Sequence, residues 1–203
     1  KKLNSNYNMK NMLNQFDKKM KFSRNIISFN DLKDWKIKKN SVSDIKKKFF
    51  SIFFIDVVAN LREVKKWEQP IISDHSSSLN GFLVSKINNT MHYLLKIIIE
   101  PGFDKSKYTS TIFEKNFSLN SKKNIKFLSF FNKKNCSMDI INSDEGGRFL
   151  KNQTRNMICE IKDHNKINIY DNFVWASHNQ VVELIYQNKM TIEARNLFAS
   201  CNV

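Results

Sequence analysis

Gly81-Phe82-Leu83-Val84-Ser85-Lys86-Ile87-Asn88-Asn89-Thr90-Met91-His92-Tyr93-Leu94-Leu95-Lys96-Ile97-Ile98-Ile99 is the stretch that decides the fold. Two apolar runs, 81–87 and 91–99, flank an Asn-Asn pair, which predicts a β-hairpin turned at Asn88-Asn89. Glu100-Pro101-Gly102 follows, a carboxylate ahead of a forced turn. Upstream, 49–58 is aromatic and β-branched and 64–72 holds Trp67-Glu68-Gln69-Pro70-Ile71-Ile72, so both read as strands. Pro70 cannot donate to a ladder and puts the second at a strand end or sheet edge. The serine-rich segment 73–80 reads as a loop, a candidate mobile flap, and the polar residues 36–48 read as loop as well.

Helical spacing appears at the two ends. Met9, Met12, Leu13, Phe16 and Met20 predict an amphipathic N-terminal helix, and Asn30-Asp31-Leu32 marks the start of a short one before Trp35. Val181, Val182, Leu184 and Ile185 predict a helix over 177–186 with Ser177 as its N-cap, and a last helix covers 192–199. Residues 108–112 read as extended, and 125–131 as a short helix or buried turn. Strands mixed with flanking helices give an α+β (α/β layered) class. The domain division is a helical arm over 1–33 and one module over 34–203.

Two of the four glycines and two of the five arginines fall within Ser143-Asp144-Glu145-Gly146-Gly147-Arg148-Phe149 and the following Asn152-Gln153-Thr154-Arg155-Asn156. Paired glycines permit a tight turn or close approach to a ligand, and an arginine fork matches phosphate oxygens. Ahead of the strand-like Met157-Ile158-Cys159-Glu160-Ile161, the stretch reads either as a binding loop or as a hairpin turn with surface arginines.

The net charge is +15, carried mostly by dispersed lysines, with short clusters at 18–19, 46–48 and 122–123. Without clustered arginines or a recognisable reading helix, this is a solvated coat rather than a nucleic-acid interface. No apolar run is long enough to cross a bilayer. Cys136, Cys159 and Cys201 are odd in number and scattered; they predict neither a disulfide framework nor a metal site, and a reducing cytoplasm.

Taken together, several stretches resemble the NDP-hexose 2,3-dehydratases of deoxysugar biosynthesis. They are Asp34-Trp35, Phe49-Phe50-Ser51, Arg62-Glu63-Val64 with Trp67 to Ile72, Gly81-Phe82-Leu83-Val84, His92-Tyr93-Leu94-Leu95 and Glu100-Pro101-Gly102. Later come Ser143 to Phe149, Thr154-Arg155-Asn156-Met157, Phe173-Val174-Trp175 and Thr191-Ile192-Glu193-Ala194-Arg195-Asn196-Leu197-Phe198-Ala199. The resemblance implies a Nudix-like fold, with a mixed sheet between helices. Family members of the usual kind carry two modules in tandem. This chain is similar to the second, which implies a homodimer. The hydrolytic Nudix signature is absent, so the resemblance implies no metal-dependent pyrophosphatase. Two departures concern the sugar pocket: Thr109-Ser110-Thr111-Ile112-Phe113 replaces a Ser-Pro-Thr-Val-Gln-like segment, and Lys96 and Ile98 replace a usual glutamine and lysine.

The implied substrate is an NDP-sugar, dTDP-linked, with a 4-keto group that acidifies the C-3 hydrogen. Its elimination needs a poised acid or base, donors for the enolate oxygen and a diphosphate clamp, but no redox cofactor or metal. The candidate proton-transfer residues are Glu145, His92 and Lys96. Candidate substrate-binding residues are Trp67, Gln69, Glu100, Gly146, Gly147, Arg148, Arg155 and Asn156. The alternative readings are a non-catalytic nucleotide-sugar-binding module of a heterodimer and a basic nucleic-acid-binding protein.

Overall fold

The computed structural model describes residues 6–46, 49–115, 117 and 125–201. Its helices are α1 (Asn6–Lys19), α2 (His178–Tyr186) and α3 (Ile192–Ala199). The first strands are β1 (Trp35–Lys38), β2 (Ser41–Asp44), β3 (Phe50–Val58), β4 (Lys66–Asp74), β5 (Ser78–Ile87) and β6 (Thr90–Ile98). The others are β7 (Lys107–Thr109), β8 (Ile112–Glu114), β9 (Cys136–Ser143), β10 (Gln153–Glu160) and β11 (Phe173–Ser177). Lys47, Lys48, Lys122 and Lys123 of the lysine clusters lie outside the described residues.

The predicted hairpin is the centre of the molecule. Asn88 (φ 49°) and Asn89 (φ 60°) both take the left-handed conformation, which asparagine tolerates and which lets a two-residue turn follow the twist of the strands. The larger sheet runs β11-β6-β5-β10-β9, with β7 added to β6 and β8 to β5. Only β10 against β5 is parallel, so the sheet is mixed, as the α+β reading expects.

All three helices lie on one face. Met9 and Leu13 of α1, Val181 and Leu184 of α2, and Leu197 and Phe198 of α3 close over Phe82, Val84, Tyr93, Leu95 and Ile97. Ser177 and Gln180 form a capping box at the start of α2, and the Thr191 hydroxyl accepts from Ala194 N at α3. The other face, with Leu79, Leu83, Leu94, Met157 and Trp175, is covered by Phe127, Leu128, Phe130 and Phe131 around a short 3-10 turn, Leu128–Phe130. Gly81 lies beneath Phe131, where a Cβ would come within 2.2 Å of Cε1.

The smaller sheet, β1-β2-β3-β4, is antiparallel throughout, with Pro70 on its edge strand β4. Three loop or helix readings need correction. Residues 36–48 are largely the β1–β2 hairpin, because pairing with β3 supplies the order that their polar pattern does not signal. Segment 73–80 is mostly the end of β4 and the start of β5, and Ser78 and Asn80 are buried rather than on a flap. The segment at 30–32 gives only a 3-10 turn, Phe29–Asp31. The cysteine reading also changes: Cys136 and Cys159, opposite each other on β9 and β10, form a disulfide. Strand register brings together residues that sequence spacing keeps apart, so the cysteines no longer argue for a reducing compartment. No helix among the described residues is long and apolar enough to cross a membrane.

Candidate functional site

The glycine stretch is the connection between β9 and β10, and it lies along the free edge of β4. Ile72 N donates to Arg148 O (2.8 Å) and Leu150 N to Ile72 O (2.7 Å). Gln69 Nε2 donates to Gly147 O (2.7 Å), while Gln69 Oε1 accepts from Trp67 Nε1 (2.7 Å). The Arg62 guanidinium lies over the Trp67 ring, 5.7 Å from its centroid. Neither Gly146 nor Gly147 has a positive φ, and a Cβ on Gly146 would meet nothing within 4 Å. The glycines therefore leave an open backbone surface rather than answer a steric demand. Arg148 Nε is 3.5 Å from Glu145 Oε2, in a largely exposed pair that holds the guanidinium weakly. Trp67, Gln69, Glu145, Gly146, Gly147 and Arg148 are thus brought together.

Arg155 is engaged elsewhere. Its Nε and Nη2 donate to the two carboxylate oxygens of Asp139, each at 2.7 Å, across β9 and β10. This fork holds the Asp139 carboxyl below the usual aspartate range, chiefly through the hydrogen bond.

His92 is buried on β6, with Ser85 and Ser177 as its strand neighbours. Its Nδ1 is 2.9 Å from Thr90 O, which can only accept, so Nδ1 carries the proton and Nε2 is left without a partner. Burial pushes its pKa below the ordinary histidine value. Lys96, four residues further along β6, lines a cleft of about 520 Å³ with Thr111, Ile112, Glu114, Asn172 and Phe173, on the face away from the helices.

On the helix-bearing face, amides form a chain across three strands. Asn156 Nδ2 donates to Asn142 Oδ1 (3.1 Å), and Asn80 Nδ2 donates to Asn156 Oδ1 (3.1 Å) and Glu193 O (3.0 Å). Ser110 Oγ donates to Asn80 Oδ1 (2.6 Å). Glu100, half-buried at the end of β6, has its carboxyl raised by burial first and then by the negative charge of Glu193, against Lys115 and Lys107. One buried oxygen of Glu193, Oε2, has no hydrogen-bond partner. Glu100, whose carboxyl is pushed toward its neutral form, and the unpartnered oxygen of Glu193, beside donors fixed on rigid strands, can divide the roles of acid and base.

Glu100 and Asn156 were legible as candidates; Glu193, Asn80 and Ser110 were not. Glu193 stood within a quoted motif, but a carboxylate in the first turn of a helix reads as a favourable surface charge. Asn80 was assigned to a loop. Among the described residues, no three His, Cys, Asp or Glu side chains converge as metal ligands would.

Known proteins similar to this chain include three curated dTDP-4-dehydro-6-deoxy-alpha-D-glucopyranose 2,3-dehydratases. That of Saccharopolyspora spinosa is 23% identical over 189 residues, covering 89% of this chain and 38% of its own length. The one from Amycolatopsis orientalis is 24% identical over 62% of this chain and 28% of its length, and that of Streptomyces violaceoruber 25% over 75% and 35%. The chain thus spans well under half the length of these relatives. A crystal structure of the C. elegans Ap4A hydrolase matches at TM-score 0.39 and 9% identity, over 61% of this chain and 93% of that one. The model of the NDP-hexose 2,3-dehydratase family matches residues 6–201, taking in the amide chain, the paired carboxylates and the glycine loop alike, and the chain belongs to that family.

Proposed function

We propose that the chain dehydrates an NDP-4-keto-6-deoxyhexose, dTDP-linked, across C-2 and C-3 in 2-deoxysugar synthesis. The observation that supports this most is the Asn80–Asn156 amide chain against the start of α3, where Glu193 keeps a buried carboxylate oxygen without a partner, within a chain matched to the family over 6–201. The C-4 ketone acidifies the C-3 hydrogen. Glu193, with an oxygen that no protein donor occupies, takes that proton. The electron pair moves into the C-2–C-3 bond as the C-2–O bond breaks, and the hydroxide leaves as water with a proton from Glu100, whose carboxyl burial pushes toward the neutral form. The resulting enol at C-3 takes up a proton at C-2 and becomes a 3,4-diketone. The substrate's own ketone supplies the acidity, so chelators leave the rate unchanged.

The nucleotide end belongs at the glycine loop, where Arg148 faces the diphosphate and Trp67 the base. Gln69 and the end of β4 at Asp74 are five residues apart, about 17 Å along an extended strand and on the scale of a nucleotide sugar. Glu145 then serves to hold Arg148 rather than to move a proton. The working unit is a homodimer.

The test is turnover with an NDP-4-keto-6-deoxyglucose and a 3-ketoreductase to trap the product. A 2,6-dideoxysugar nucleotide is expected, with or without chelator. Tight binding without product would leave a nucleotide-sugar-binding module, and the absence of both would remove the reading altogether.

A further inference from the structure

Ile98 ends β6 and Lys107 begins β7, so Glu100 stands near the start of the connection 99–106. Pro101 has no amide hydrogen to donate and Gly102 no side chain, and within the turn Phe103 N donates to Glu100 O (2.9 Å). Further support comes from the N-terminal part of the chain. At the far end of the connection, Ser106 N donates to Asp17 Oδ1 on α1 (2.9 Å). At the near end the hold is Arg24.

Arg24 belongs to residues 20–28, an exposed segment without helix or strand that leads from α1 toward the smaller sheet. Its Nη1 donates to Pro101 O (3.0 Å) and to Phe103 O (2.7 Å), and its Nη2 donates to the Asp104 carboxylate. The Asp104 side chain is 89% exposed, so that ion pair by itself contributes little. The two carbonyls do more. They are fixed points of the backbone on either side of Gly102, and a planar guanidinium spans them both in a way that a lysine cannot.

We infer that Arg24 is a positioning residue for the dehydration: by spanning Pro101 O and Phe103 O it holds the turn, and with it the Glu100 carboxyl, in the half-buried place from which Glu100 protonates the leaving hydroxyl. The inference rests on the role given to Glu100 above. Burial is the main influence on that carboxyl, ahead of the charges of Glu193 on α3, Lys115 just after β8 and Lys107 on β7. A released turn lets water reach Glu100, so its pKa falls back toward the ordinary glutamate value and the acid is ionised at lower pH. Removing the positive charge of Arg24 without moving the turn would push the same pKa the other way. Position and charge thus predict opposite signs.

Two measurements on the whole chain test this, for wild type, Arg24→Ala, Arg24→Lys and Asp104→Asn. The first is NMR titration of glutamate carboxyl carbons, with Glu100→Gln identifying the Glu100 signal; it needs no substrate. The second is the pH profile of kcat and KM with an NDP-4-keto-6-deoxyglucose and the trapping reductase. In Arg24→Ala the Glu100 titration and the alkaline limb of kcat should both move to lower pH, with kcat at neutral pH lowered by about 10-fold and KM within about twofold. Millimolar ethylguanidinium should restore part of the loss, and Asp104→Asn should match wild type. Should Arg24→Ala fail to fold, Arg24→Lys, which keeps the charge and one contact, should show the same shift in smaller measure. A Glu100 titration unchanged or raised in the folded arginine variants would overturn the inference, as would an Asp104→Asn chain impaired as much as Arg24→Ala. A wild type that dehydrates nothing would remove the role given to Glu100, while the titration would still decide whether Arg24 holds its place.

Discussion

Arg155→Lys separates a brace from a ligand clamp. The arginine makes two 2.7 Å charge-assisted bonds to Asp139, with side-chain exposures of 25% and 19%. Hydrogen bonds to charged groups contribute about 1.5–3 kcal/mol, while fully exposed pairs contribute about 0–1 kcal/mol. A lysine keeps the charge and one contact, so the loss should be about 1–2 kcal/mol. For a chain of this size that is a fall of roughly 3–6 °C in Tm. Asp139 has its pKa lowered in the folded state, so the pair's stabilisation is present above the unfolded aspartate pKa and is lost as pH falls through the folded value. The difference between wild type and variant should therefore be full at neutral pH and shrink below about pH 4. Thermal denaturation across pH measures this, and calorimetry with a nucleoside diphosphate measures affinity on the same proteins. The expected outcome is lost stability with unchanged affinity. Undiminished stability with weakened binding would refute the assignment of Arg155 to Asp139 and return it to the diphosphate.

Arg148→Lys should do the reverse, weakening nucleoside-diphosphate binding by about 1–3 kcal/mol in calorimetry while leaving Tm within a degree, because only a loose exposed pair is lost. Gly81→Ala should cost about 1–3 kcal/mol in urea denaturation, since its Cβ meets the Phe131 ring at 2.2 Å; adding Phe131→Leu should recover much of that loss. Glu100→Gln should raise Tm at neutral pH. The folded pKa of Glu100 is raised by burial and by Glu193, so its contribution is fully present below the unfolded glutamate pKa and is lost as pH rises through the folded value. The gain should vanish near pH 4, and turnover should fall although the protein is more stable.

Much of the framework was legible because its signals are local. The Asn88-Asn89 turn, the Ser177 cap and the helical spacing of α1 each lie within a few residues. The β1–β2 hairpin was not, because its short, largely polar strands are ordered by the pairing of β2 with β3 rather than by a pattern of their own. Asn80 was misplaced for a related reason: a buried amide satisfied by Asn156, Glu193 and Ser110 looks in sequence like any loop asparagine. The same holds for Arg155, whose partner lies 16 residues away across a strand pair, and for the Cys136–Cys159 bond. Among the site residues, Glu100 stood out through the turn it precedes. Glu193 gains its significance only from the approach of Glu100, which depends on how α3 packs against β5 and β7.

The measurement closest to the central claim is proton NMR in deuterated water of an NDP-4-keto-6-deoxyglucose with the wild-type chain and with Glu193→Gln, the trapping reductase being present in both. The account predicts that the wild type consumes the substrate's C-3 hydrogen signal and forms a 2-deoxysugar nucleotide carrying deuterium at C-2, while Glu193→Gln binds the substrate equally and does neither. Elimination by Glu193→Gln at the wild-type rate would contradict the assignment of the base, and a folded wild type that leaves the C-3 hydrogen in place would contradict the dehydration itself.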